Sequence, residues 1–210
     1  MKQTCIALTG PSGAGKSIAG EAFRNLGIPV LDTDAIYHDL MDHSLALKAE
    51  LADAFALRAE TLSAGNLRPL RTIVWRDPKK LLRLNAISHR HIKERVEELC
   101  AEEPLCEAET VVLDAPVILD SPIDWAPDYV VSVLADPEVR RARILARDPI
   151  TPKEADARIR GQHPDDFYIE RSDLVLYNPY DSVQTALREM TRLIREQLLA
   201  WNLNVPGDRS

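Results

Sequence analysis

Eight residues near the amino terminus, Gly10-Pro11-Ser12-Gly13-Ala14-Gly15-Lys16-Ser17, restrict what this chain can fold into more than any other stretch. They match G-x-x-x-x-G-K-[ST], the phosphate-binding loop pattern. The apolar run Cys5-Ile6-Ala7-Leu8 before them reads as a buried parallel strand. Ile18 to Leu26 after them, with Ala19, Ala22, Phe23 and Leu26 at helical spacing, reads as a helix. A loop that joins a strand end to a helix start aims backbone N–H groups and the positive helix end at an anion. Ser12, Gly13, Ala14, Gly15, Lys16, Ser17 and Ile18 are therefore expected around the phosphates of ATP. Lys16 meets the β- and γ-phosphates, and the Ser17 hydroxyl ligates Mg2+.

Further strands follow from the same logic. Ile28-Pro29-Val30-Leu31 predicts a second strand closing at Asp32-Thr33-Asp34, where a helix begins with Asp32 or Thr33 as its cap. Capping explains one aspartate better than two. Asp34 is thus the candidate for chemistry, at the carboxyl end of a strand where ligands sit in open α/β sheets. Thr110 to Leu113 predicts a third strand closed by Asp114, the Walker B arrangement in which a carboxylate holds magnesium. Tyr129 to Leu134 and Leu174 to Tyr177 complete a five-stranded parallel sheet.

Between the second and third strands the pattern is helical. Leu45 to Leu62, Pro69 to Trp75 and a long helix opened by Asp77-Pro78 are predicted, the last with a break near Ser88 to His91. Arg68, Arg71, Arg76, His89, Arg90 and His91 gather there, a local basic cluster suited to an anionic substrate. After the fourth strand, Arg140, Arg143 and Arg147 share one helix face and are placed to clamp phosphate oxygens. Arg147 is the candidate for the transfer step and Arg143 for the nucleotide. Thr151-Pro152-Lys153-Glu154 is a capping box, and the polar helix it opens suits a lid. The last helix is expected from Asp181 to Trp201, and Asn204 to Ser210 as a polar, disordered tail.

Composition narrows the partners. The chain has 210 residues and a net charge of −7, so it lacks the excess of Lys and Arg that a nucleic-acid surface needs. Three cysteines form neither a disulfide framework nor a metal cluster, and no apolar run is long enough to span a membrane. A cytoplasmic protein, monomeric or weakly homo-oligomeric, with no nucleic-acid or membrane partner, is expected.

The order of motifs resembles the dephospho-coenzyme A kinases over about Ile6 to Leu199. The resemblance rests on the loop and on Leu26-Gly27-Ile28-Pro29-Val30-Leu31-Asp32-Thr33-Asp34. It continues through Ile87-Ser88-His89, Leu113-Asp114-Ala115-Pro116, Ala142-Arg143-Ile144-Leu145-Ala146-Arg147-Asp148 and Ser172-Asp173-Leu174-Val175-Leu176-Tyr177-Asn178. It implies an α/β P-loop NTPase three-layer fold and phosphorylation of the ribose 3′-hydroxyl of dephospho-coenzyme A by ATP, the last step of coenzyme A biosynthesis. One kinase domain over 1–203 would hold a core of about 1–36, 108–148 and 172–203, a helical substrate insertion at about 37–107 and a lid at about 149–171, followed by the polar tail at 204–210. Asp34 stands in the place of the catalytic carboxylate, with Asp32, Arg71 and His89 near the acceptor. The chain departs from the family at Arg90, Asp120, Ala56 and Tyr168, and the segment before Leu70 is shortened. The alternatives are another P-loop kinase acting on a nucleoside monophosphate or sugar-like alcohol, or a non-catalytic nucleotide-binding protein.

Overall fold

A computed structural model describes residues 3–75 and 77–208 of the chain. Five strands form one sheet: β1 (Thr4–Thr9), β2 (Val30–Asp32), β3 (Thr110–Asp114), β4 (Tyr129–Leu134) and β5 (Leu174–Tyr177). Their order is β2-β3-β1-β4-β5, and β1 pairs in parallel with both β3 and β4, as β4 does with β5. The apolar runs read as strands are continuous because both faces are covered: the last four residues of β1 and of β4 are buried. The architecture is the α/β one expected, with the second strand shorter and shifted to end at Asp32.

The chain divides into two compact units, residues 1–30, 107–119 and 127–210, and residues 31–106 and 120–126. The stretch read as a lid, 149–171, belongs to the first unit. In that unit α1 (Lys16–Asn25) buries Ala19, Gly20, Ala22 and Phe23. The later helices of this unit are α6 (Pro137–Arg147), α7 (Pro152–Arg160), α8 (Asp165–Ile169) and α9 (Val183–Ala200). α9 packs Met190, Ile194 and Leu198 into the same core. Its cap is Ser182, close to the expected start near Asp181. Trp201 just beyond it stacks on Tyr129 at 4.0 Å. The tail differs from the expectation of disorder. Val205 is buried in the core, and the Gly207 N–H donates to the Leu26 carbonyl at 3.0 Å, so one apolar residue anchors an otherwise polar end.

The second unit is helical: α2 (Thr33–His43), α3 (Leu45–Phe55), α4 (Arg68–Val74) and α5 (Pro78–Ala101). Met41, Leu47, Leu51, Leu62, Leu70 and Ile87 form its core. α3 ends earlier than predicted, because Ala56 takes the left-handed conformation (φ 52°) that closes helices. A 3-10 turn over Ala59–Thr61 follows. α5 runs 24 residues without the predicted break at Ser88 to His91. No proline lies in that stretch, so each residue keeps the backbone N–H that the helix needs.

Candidate active site

The phosphate loop leaves β1 at Gly10 and enters α1 at Lys16, with Gly10, Gly13 and Gly15 at φ 142°, 81° and 104°. A side-chain carbon at Gly10 would strike the Val133 carbonyl oxygen, and one at Gly15 the Asn178 amide nitrogen. The Lys16 ammonium is paired with the Asp114 carboxylate. Asp114 ends β3 level with Leu8 of β1, so the two strands carry the Walker-type carboxylate to the loop lysine.

Behind the loop, side chains hold its carbonyl oxygens. Asn178 Nδ2 donates to the Ala14 carbonyl at 2.7 Å. Arg140 is only 3% exposed; its Nε donates to Ser12 O at 3.1 Å and an Nη to Gln162 Oε1 at 2.6 Å. Arg143 donates to Gly13 O and Ala14 O at 3.4 and 3.3 Å, and to Tyr180 O at 2.7 Å. Burial pushes both guanidinium pKa values down. The arginine face foreseen on this helix is thus split. Arg140 and Arg143 brace the loop backbone, while Arg147, 62% exposed at its side chain, pairs with Asp148 at 2.8 Å. Arg158 joins the same carboxylate, and these two cations bring the Asp148 pKa down to about 2.

Within the second unit, Asp32 is the cap of α2, accepting from the N–H groups of Asp34 at 2.9 Å and Ala35 at 3.0 Å. Asp34, in the first turn of that helix, is exposed. Arg71 lies on α4 and His89, buried, on α5. Burial raises the Tyr37 pKa, with smaller opposing pulls from Ser88 and Arg71. Ser88 Oγ is buried and, among the described residues, makes no hydrogen bond of full geometry. The basic cluster does not act as one. Arg90 and His91 both close on Glu50 of α3, at 2.5 and 2.9 Å, and with His91 as the larger cause lower its pKa. Arg76 lies outside the described residues.

Sequence reasoning passed over Asn178 as part of the site, and it placed Arg140 on a phosphate-clamping face where the structure makes it a brace of the loop backbone. Asn178 had a signal available, a polar residue directly after a buried strand at the sheet's carboxyl edge. The bracing role of Arg140 had none, because a buried loop brace and a phosphate-facing arginine look alike in sequence.

A parallel five-stranded sheet with a glycine loop running into a helix and a carboxylate on the neighbouring strand defines a P-loop kinase. The family model for dephospho-CoA kinase matches residues 4–184, and the chain belongs to that family. It is accordingly a kinase of the final step of coenzyme A biosynthesis, moving phosphate from a nucleotide to an alcohol. The dephospho-CoA kinase of Rhodopseudomonas palustris is 32% identical over 188 residues, covering 88% of this chain and 92% of that protein. That of Bacillus cereus is 30% identical over 184 residues, covering 86% and 90%. A crystal structure of TT1252 from Thermus thermophilus superposes with a TM-score of 0.75 at 28% identity over 94% of this chain and 99% of that one. A shikimate kinase from Acinetobacter baumannii shares the fold at a TM-score of 0.55 and 15% identity, covering 97% of each chain.

Proposed function

We propose that the chain transfers the γ-phosphoryl group of ATP to the ribose 3′-hydroxyl of dephospho-coenzyme A, with Asp34 receiving or orienting the hydroxyl proton. The observation that carries this is a division of labour between two aspartates. Asp32 spends one oxygen on the helix cap, which leaves the exposed Asp34 carboxylate without a partner among the described residues. Phosphoryl transfer asks for positioning and charge neutralisation, and one carboxylate serves the acceptor hydroxyl.

In this reading the loop N–H groups from Ser12 to Ile18 and the Lys16 ammonium hold the phosphates. Ser17 and Asp114 hold magnesium. One hydroxyl and one carboxylate suit a hard cation that keeps several waters and takes its other ligands from phosphate. When bound, the ion neutralises charge on the β- and γ-oxygens. Arg143 supports the nucleotide through the loop carbonyls it grips. Arg147 is the arginine of the three that is not hydrogen-bonded to the loop, and in this reading it leaves Asp148 to meet the transferred group. Arg71, His89 and the second oxygen of Asp32 receive the acceptor. No disulfide joins the cysteines among the described residues, which fits the reducing, cytoplasmic setting of this reading. A monomer or weak homo-oligomer completes the reading.

The test is ATP consumption with Mg2+, with and without dephospho-coenzyme A, following product mass. A gain of one phosphate on the acceptor supports the assignment. ATP binding without transfer to that acceptor overturns it. Lys16→Ala should lower both nucleotide affinity and turnover.

A further inference from the structure

In the second unit, one buried histidine sits in a polar cluster whose protons can be placed by counting. His89 is 8% exposed, and its Nδ1 lies 2.8 Å from Ser121 Oγ. The same oxygen accepts from Trp125 Nε1 at 2.9 Å and from the Ile123 N–H at 3.3 Å. A serine hydroxyl has one proton to donate and two lone pairs, whereas indole and backbone N–H groups only donate. The two donors fill both lone pairs, so the hydroxyl proton goes to Nδ1. Nδ1 is then the bare nitrogen, and the ring proton of the neutral imidazole resides on Nε2. A proton on Nδ1 would set a third donor against an oxygen with no lone pair left. Burial favours the neutral ring as well, lowering its pKa. Nε2 has no hydrogen-bond partner among the described residues. The segment carrying Ser121 and Trp125 is fastened to α5 a second time, by Lys93 Nζ donating to Asp124 O at 2.7 Å.

We propose that Ser121 and Trp125 are positioning residues that lock His89 in the neutral Nε2–H tautomer, so that the ring offers one uncharged N–H donor to an oxygen of the acceptor substrate. The part played by the acceptor rests on the placement of His89 argued under Proposed function; the lock itself does not. An uncharged donor recognises a hydroxyl, carbonyl or ester oxygen and leaves anionic groups to arginines.

The experiment labels histidine with 15N in the full-length protein and reads long-range 1H–15N correlations, which separate the two tautomers and the imidazolium. His89→Gln assigns the signals. The wild type should show the Nε2–H form alone. Ser121→Thr, which keeps the hydroxyl, should retain it. Ser121→Ala and Trp125→Phe should each give a mixture, the latter by freeing a lone pair on Ser121. The other four of the five histidines report whether each variant keeps its fold. An Nδ1–H tautomer or an imidazolium in the wild type at neutral pH overturns the lock. So does a His89 that stays wholly Nε2–H in both variants.

A second arm adds dephospho-coenzyme A to the same samples. The Nε2 resonance should move, and Ser121→Ala should raise the KM for dephospho-coenzyme A about tenfold while the KM for ATP moves far less. An Nε2 signal unmoved by saturating acceptor overturns the substrate half of the proposal. Wild-type turnover in that sample shows separately whether the kinase assignment stands.

Discussion

Asn178 Nδ2 and the Ala14 carbonyl oxygen stand 2.7 Å apart, and through that contact the end of β5 holds the phosphate loop from behind. Asn178 is fully buried. Removing it leaves the Ala14 carbonyl with the longer Arg143 contact alone. A buried acceptor that loses its best donor costs about 1–3 kcal/mol. Asn178→Ala should therefore raise the KM for ATP roughly tenfold. Steady-state kinetics with ATP varied checks this, and an unchanged KM would remove Asn178 from the site. Gly15→Ala should do at least as much damage, since the added carbon meets the same amide.

Asp32 and Asp34 should separate in their effects. Asp34→Asn should cut kcat by about 10²–10⁴ while the melting temperature stays near that of the wild type. Asp32→Ala removes the α2 cap and should cost about 1 kcal/mol of stability, read by thermal unfolding. A normal kcat in Asp34→Asn would sink the base assignment.

Acid should find Asp148. Its carboxylate pKa is depressed from 3.8 to about 2 by Arg147 and Arg158. A depressed carboxylate contributes stability above its unfolded pKa and loses it as pH falls through the folded value. Asp148→Asn should accordingly melt below the wild type at pH 5, with the gap closing as pH falls from about 4 towards 2. A gap that is constant over that range would contradict the pairing.

Val205 should behave as core and not as tail. A chain ending at Asn204 loses one buried valine and the Gly207 contact to Leu26. Full burial of such a side chain contributes about 1.5–3 kcal/mol, so the truncated protein should melt several degrees lower. Equal melting temperatures would show the tail to be dispensable.

The strands and the loop were legible because each carries its signal locally. β1 is an apolar run that ends in a glycine motif, and β3 is an apolar run that ends in Asp114. The α7 capping box was likewise readable from Thr151 and Glu154, and both of its bonds form. Partners brought together across the chain were not legible. Nothing around Arg140 says that it will be 3% exposed and bonded to Ser12. Nothing at Ser121 announces His89 and Trp125. Val205 lies in a short tail that reads as polar, and only its burial marks it as core. Ala56 ends α3 by a backbone conformation that alanine rarely adopts, so its sequence argued for continuing the helix.

The loop braces come from positions 140, 143 and 178, whereas the loop itself is complete by position 17. Synthesis runs from the amino terminus, and a domain folds as a unit once its parts have emerged. A ribosome-bound chain therefore exposes the whole glycine motif long before it owns the side chains that shape it. The full grip on nucleotide arrives only once Asn178, at the end of β5, has left the exit tunnel, which ties the glycine motif to a strand made much later.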